Sequence, residues 1–205
     1  MIIAVDGPTA SGKGTIAKAL AAHFGLPHLD TGLLYRAVGR QVALTNGDPD
    51  VAADAIAACA FDEALLDDPE LRSEASGGLA SRVSVHPAVR AALFARQRAF
   101  ANQPGGAVLD GRDIGTVIAP DAALKLFVVA SVSARAERRF AEMQAAGRSV
   151  ALADIAADLE ARDARDRTRA QAPLVAAADA VLLDTSDLPR DAAISAAIAI
   201  AESRR

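Results

Sequence analysis

Nine residues near the start of the chain, Gly7-Pro8-Thr9-Ala10-Ser11-Gly12-Lys13-Gly14-Thr15, have the glycine and lysine spacing of a phosphate cradle. Glycines let successive backbone N–H groups turn inward on an anion, and the start of a helix adds positive potential behind them. Lys13 can reach the β- and γ-phosphates of a nucleoside triphosphate, with ATP the expected donor. The common pattern has a hydroxyl residue directly after the lysine. Here that place is Gly14 and the hydroxyl belongs to Thr15, which is expected to approach Mg²⁺ directly or through water.

A cradle names a donor and no acceptor. Three arginine-bearing segments supply the other half: Asp30-Thr31-Gly32-Leu33-Leu34-Tyr35-Arg36, Asp110-Gly111-Arg112-Asp113, and the run from Arg162 to Arg169. Guanidinium forks match phosphate oxygens in pairs, and two phosphate-bearing reactants in line need such a convergence of charge. Asp110 stands where an acid could orient a metal or its water. In the third segment Arg162, Asp166 and Arg169 are spaced four and three apart, so a helix would carry them on one face. On helix evidence alone, a solvated face laced with pairs such as Asp163–Arg167 is equally in keeping with that run.

These side chains need elements to hold them. Met1–Asp6 is an unbroken apolar run, as expected of a central parallel strand leading into the cradle. The periodicity predicts helices over Lys13–Phe24, Gly32–Leu44, Pro87–Ala101, Ser133–Ala146 and about Val150–Ala170, with a last one near Pro189. Further strands are expected at Leu26–Leu29, Ala107–Leu109, Leu124–Val129 and Ala180–Leu183. Between Asp48 and Leu79 the pattern weakens, and this stretch reads as an insert outside the sheet. Alternating strands and helices predict an α/β P-loop fold with a parallel five-stranded sheet flanked by helices. Its ligands would sit at the carboxyl ends of the strands.

Composition narrows the field. A net charge of -4 argues against bulk nucleic-acid binding, and one tyrosine without tryptophan leaves no stacking platform for RNA. No guanine-reading Asn-Lys-x-Asp segment is present, against a GTP switch. No apolar run approaches the ~20 residues that span a bilayer, and the N-terminus reads as a strand, not a leader. Cys59 is the only cysteine, which fits a reducing cytoplasm. His23, His28 and His86 lack metal-ligand spacing and read as structural or surface residues. Nineteen of the 22 basic residues are arginines, but alanine is equally over-used, so position and not number carries the argument.

The Gly14-Thr15 ending is similar to that of nucleoside monophosphate kinases, and the chain as a whole resembles the bacterial cytidylate kinase family. The segments that carry the likeness are GPTASGKGT, DTGLLYRA, SRVSVHPAVR, RQRAF, DGRDIGTVI, the RAERR helix, RDARDRTRAQAPL and the terminal DAVLLDT. The resemblance implies transfer of the ATP γ-phosphoryl group to CMP or dCMP. It implies a core of about residues 1–32, 86–133 and 170–205, a monophosphate-binding insert of about 33–85, and a mobile lid of about 134–169. By the same resemblance Arg36, Arg112 and Arg169 hold the acceptor phosphate. Ser81, Arg90 and Asp113 read the cytosine, and Arg162 and Asp166 meet the ribose. Thr31 stands where the family usually has serine. Arg135, Arg138 and Arg139 fall in the lid, Arg138 toward ATP and Arg139 toward the transferring phosphate. This type of kinase is usually a monomer. A neighbouring reading is another small-molecule P-loop kinase, acting on AMP, UMP or a non-nucleotide acceptor.

Overall fold

The computed structural model of the chain describes residues 1–204. Five strands, β1 (Ile2–Asp6), β2 (His28–Asp30), β3 (Ala107–Gly111), β4 (Leu124–Val129) and β5 (Val181–Asp184), form one parallel sheet. Their order is β2-β3-β1-β4-β5. The chain leaves β1 toward one side of the sheet and crosses to the other after β3, so strand order reverses at β1. A crevice opens at the carboxyl end of such a switch strand. The cradle fills it and runs into α1 (Lys13–Phe24), which stops where Gly25 takes φ 64 and its N–H bonds the Ala21 carbonyl.

Alternate residues of β1 serve opposite faces. Ile3 and Val5 pack with Ile16 and Leu20 of α1 and with Ala193, Ala197 and Ala201 of α8 (Arg190–Ser203). Ala4 joins Leu109, Ile114 and the end of α5 (Pro87–Ala101) on the other face. A third cluster joins α5 to α2 (Thr31–Leu44), through Leu34, Val38, Val83 and Leu93, and takes in Ala55 of α3 (Ala52–Ala57). α6 (Val132–Ala145) and α7 (Leu152–Thr168) form a hairpin with a small core of its own around Ala136, Ile155 and Leu159. Among the described residues no helix is long and apolar enough to cross a membrane.

Among the boundaries that differ from the sequence expectation, three have a plain physical reason. The second strand begins at His28, later than Leu26, because Pro27 has no N–H to give and offers only its carbonyl, to Val108 N at 2.9 Å. The third strand runs on through Asp110 and Gly111, which pair in register with Val5 and Asp6. The polar helix ends at Thr168, so Arg169, at φ -60 and ψ 139, leaves the helix instead of sharing its face. The weakly patterned stretch resolves into α3, three 3-10 turns and α4 (Glu74–Val83). The second and third turns start on side-chain caps from Asp62 and Asp68, and α4 on one from Ser73.

At the end of β1 the buried Asp6 carboxylate accepts the N–H of Ile114 and of Gly115, each at 2.8 Å. It thereby fixes the π-helical turn Ile114–Ile118 directly after Arg112 and Asp113. Burial raises its pKa to about 6 in spite of those two donors.

α2 and α4 meet closely at Gly39, where an added Cβ would lie 2.7 Å from Leu79 Cβ and 3.0 Å from its main chain. Gly39→Ala tests that contact. Relief of the helix-propensity penalty is worth about 1 kcal/mol, while forced overpacking costs about 1–3 kcal/mol. A net loss of stability is expected in urea denaturation, and a gain would show that the two helices can part without cost.

Candidate active site

The cradle is built by close backbone approach. A Cβ on Gly7 would sit 2.1 Å from the Val128 carbonyl, so only glycine lets the loop lie against β4. Gly12, at φ 88, caps α1 and turns its first N–H groups inward. Ala10 also takes a left-handed conformation, φ 62, which costs a non-glycine residue about 1 kcal/mol. Both neighbours are held: Thr185 Oγ1 donates to the Ser11 carbonyl at 2.9 Å, and Arg135 Nη1 to the Thr9 carbonyl at 3.2 Å. Lys13 makes no hydrogen bond or ion pair among the described residues. Burial and the nearby Arg112 lower its pKa to about 8 in spite of Asp110, Asp30 and Asp166.

Two clefts meet at this loop. One, of ≈ 210 Å³, is lined by Thr9, Ala10, Lys13 and Gly14 together with Thr31, Arg36, Ser81, Arg90, Arg112, Asp113, Arg162, Asp166 and Arg169. Asp30, Tyr35, Asp110 and Arg139 complete its charged and aromatic wall. Seven cations face four carboxylates there, an excess of three positive charges. The other cleft, of ≈ 740 Å³, runs along Ala10–Thr15 to Arg138, Arg139, Thr185 and Arg190. Gly7 and Pro8 line neither and support the loop from behind.

Each cation of the smaller cleft except Lys13 is held by a named acceptor. Arg112 Nε donates to Asp166 at 2.7 Å; burial opposes both charges, but Asp166, Asp110 and Asp163 together raise the pKa of Arg112, and Arg112, Arg169 and Arg162 together lower that of Asp166. Arg90 and Asp113 form a buried ion pair, with Arg169 Nη2 3.4 Å from the other oxygen of Asp113. The Arg90 guanidinium lies 5.8 Å from the centre of the Tyr35 ring. Arg36 donates to the carbonyls of Leu71 (2.7 Å) and Ser73 (2.8 Å). Burial and then Arg162 bring Arg36 down to a pKa of about 10, and burial followed by Arg112 lowers Arg162 likewise. Arg162 Nη2 reaches the Gly77 carbonyl at 3.2 Å while its Nη1 is buried without a hydrogen bond. Ser81 Oγ is also buried and without a partner among the described residues. The Thr31 hydroxyl donates to the Asp110 carbonyl at 2.8 Å, so its proton is committed to the fold.

The three arginines of α6 divide. Arg135 is 2% exposed and bridges α6 to Asp163 of α7 at 3.1 and 2.6 Å, so it cannot swing out to a phosphate. Asp163 is thus not the solvated partner of Arg167. Arg138 donates to Thr185, and Arg139 pairs with Glu74 of α4 across the cleft. His23 pairs with Glu202 on the surface and His86 meets the Pro49 carbonyl. His28, however, lies 2.7 Å from Oδ1 of Asp110, a residue of the cleft wall, a contact its spacing does not announce. Asp30, which caps α2 by accepting Gly32 N at 3.0 Å, and Thr185 also stand in the site without having been singled out. The Asp-Thr pairs that follow the second and last strands were the available signals.

Parallel sheet, glycine cradle at the switch strand and helices on both faces define a P-loop α/β protein. The same fold occurs in the crystal structure of an uncharacterized protein from Eubacterium ventriosum, at a TM-score of 0.57 and 19% identity over 99% of this chain and 98% of that one. The family model for cytidylate kinase matches residues 3–203. A cytidylate kinase of Xanthobacter autotrophicus is 58% identical over 100% of this chain and 99% of its own length. One from Azorhizobium caulinodans is 55% identical over 100% of both. The chain belongs to this cytidylate kinase family of phosphate-transferring enzymes.

The Arg135–Asp163 pair is dry on both sides, and removing one partner strands the other charge. Asp163→Ala is expected to cost about 3 kcal/mol in denaturant unfolding, whereas loss of a solvated pair would cost below about 1 kcal/mol.

Proposed function

We propose that this enzyme transfers the γ-phosphoryl group of ATP to CMP and dCMP, giving CDP and dCDP. The observation that carries the acceptor's identity is the buried Arg90–Asp113 pair at the wall of the smaller cleft, which also holds a Ser81 hydroxyl with no partner among the described residues. Cytosine offers a ring nitrogen and a carbonyl as acceptors beside an amine donor, which an arginine and an aspartate can serve. Uracil would turn a second carbonyl toward Asp113, and a buried mismatch of that kind discriminates strongly.

In this reading Arg36, Arg112 and Arg169 take the acceptor phosphate, Arg162 and Asp166 take the ribose, and the larger cleft takes ATP along Gly7–Thr15 with Arg138 beside it. Arg139 leaves Glu74 to meet the transferring phosphate. The acceptor is itself a phosphate anion, so no strong base is needed and no covalent enzyme intermediate forms. Alignment and charge neutralisation do the work. Residues of about 33–85 form the acceptor insert and about 134–169 a lid, whose closure excludes water and so suppresses hydrolysis. Two contacts already span the two parts, Arg139–Glu74 and Arg162 with the Gly77 carbonyl.

Mg²⁺ suits the residues present. Among the described residues there is no cluster of three or more His, Cys, Asp or Glu, and magnesium needs only one or two protein oxygens beside waters and phosphates. Thr15, at the first turn of α1, and Asp110, with Oδ2 toward Gly14, supply them. When bound, the ion would supply positive charge that offsets the charge of the phosphates. The eight acceptor residues named above line one cleft, and in this reading the enzyme acts as a monomer on small nucleotides, without nucleic acid or membrane. A single cysteine fits the cytoplasm.

Initial rates with CMP, dCMP, UMP and AMP test the proposal, and a preference for AMP or UMP would overturn it. Arg90→Met is expected to lower the CMP-to-UMP ratio of kcat/KM at least about tenfold. An unchanged ratio would remove Arg90 from base reading. Lys13 gives a pH test. Its folded pKa is lowered to about 8, so the free enzyme carries this charge only below that pH. kcat/KM for ATP, which reports the free enzyme, should therefore fall above about pH 8. kcat should hold to higher pH because bound phosphates retain the proton. A kcat/KM profile level well past that point contradicts the role.

A further inference from the structure

Thr9 is gripped twice. Its carbonyl accepts from Arg135 Nη1 at 3.2 Å and its hydroxyl from Arg112 Nη2 at 2.5 Å. Each arginine is steered in turn by a carboxylate of α7, Arg135 by Asp163 and Arg112 by Asp166. Asp163 and Asp166 stand three apart and share one helical face. The two grips differ in kind. Arg135 is fully enclosed, and its Nε also donates to the Ala130 carbonyl at 3.0 Å, which makes it a fixed anchor. Arg112 is half-buried and lines the smaller cleft. Its Nη1 has only a long 3.4 Å contact to the Gly111 carbonyl, so this donor remains for an incoming anion.

We propose that Thr9 is a positioning residue that couples the two substrate sites, its hydroxyl carrying the state of Arg112 into the donor loop. The proposal rests on reading the smaller cleft as the acceptor site. A phosphate taken by Arg112 Nη1 fixes the plane of the guanidinium, and that plane fixes Nη2. Nη2 fixes the Thr9 hydroxyl, next to the left-handed Ala10 at the mouth of the cradle. The Thr9 side chain is then ordered before the donor arrives, and the donor no longer bears that entropy loss. Coupling between bound ligands is reciprocal, so ATP favours the acceptor by the same factor.

Titration calorimetry of a non-hydrolysable ATP analogue, with and without saturating CMP, reads the coupling directly. In the unaltered enzyme CMP is expected to tighten the analogue about fivefold. In Thr9→Ala the two affinities should become equal, and Thr9→Ser should restore the difference. A hydroxyl that only supports the fold would weaken the analogue equally in both states and leave the ratio intact, which overturns the proposal. So does an unaltered enzyme that binds CMP and shows no coupling. If the unaltered enzyme fails to bind CMP at all, the acceptor assignment itself falls, and this inference with it.

Discussion

Like charges in a half-buried cleft are the constraint on which the rest of this structure depends. Seven cations converge at the carboxyl ends of β1 and β3, where water is scarce and mutual repulsion is poorly screened. Lone charges there would shift their pKa values or push the elements apart. The molecule answers by holding each arginine on an acceptor from another element: Arg112 on Asp166, Arg90 and Arg169 on Asp113, Arg36 on the Leu71 and Ser73 carbonyls, Arg139 on Glu74 and Arg162 on the Gly77 carbonyl. Contacts that tame the charge are therefore also those that tie insert, hairpin and sheet together. An arriving phosphate competes with those acceptors, so its net gain is smaller than the count of guanidiniums suggests, and its arrival can loosen or tighten the joints between elements.

How much of this could be read from the chain depended on whether the signal was local. α1, α5 and β4 have the bounds that periodicity and the flanking Gly25, Pro87 and Pro104-Gly105-Gly106 predict. Where β3 ran longer than expected, a distant partner lengthened it. Asp110 and Gly111 belong to β3 because their main chains pair with β1 and His28 takes the carboxylate, and no local pattern announces a buried aspartate inside a strand. Arg169 was expected on the face of Arg162 and Asp166, yet it reaches the same cleft from the extended segment beyond the helix. Spacing brought the right side chains together by the wrong geometry. The run 48–79 was opaque because its turns are capped by side chains, one residue at a time, with no repeating apolar period.

The α6–α7 hairpin shows why residue type alone cannot assign a role. Arg135, Arg138 and Arg139 lie within five positions on one helix, and all three are chemically suited to phosphate. Burial separates them: Arg135 is enclosed by Asp163 and two carbonyls, Arg138 is engaged by Thr185, and Arg139 faces both clefts from one turn further along. The helix must bury one face to form a hairpin core, and the residue on that face becomes structural whatever its charge. On α7 the same geometry sends Asp163 toward the anchor and Asp166 toward the cleft.

A difference between the two phosphate sites follows. The donor loop is fixed by main-chain contacts, with Gly7 against Val128, Ser11 held by Thr185 and Thr9 by Arg135, so its N–H groups keep one arrangement. The smaller cleft is made of long side chains held by ion pairs and by main-chain carbonyls. In-line transfer needs one reactant to define the axis and the other to be brought onto it. A rigid backbone cradle suits the first task, because preorganised dipoles need no reorganisation when charge moves. Mobile guanidiniums suit the second, since they can follow a phosphate from its entry to its attack position without losing their hydrogen bonds. Glycines on one side and arginines on the other are thus a division of labour set by mechanics, with Thr9 standing where the two meet.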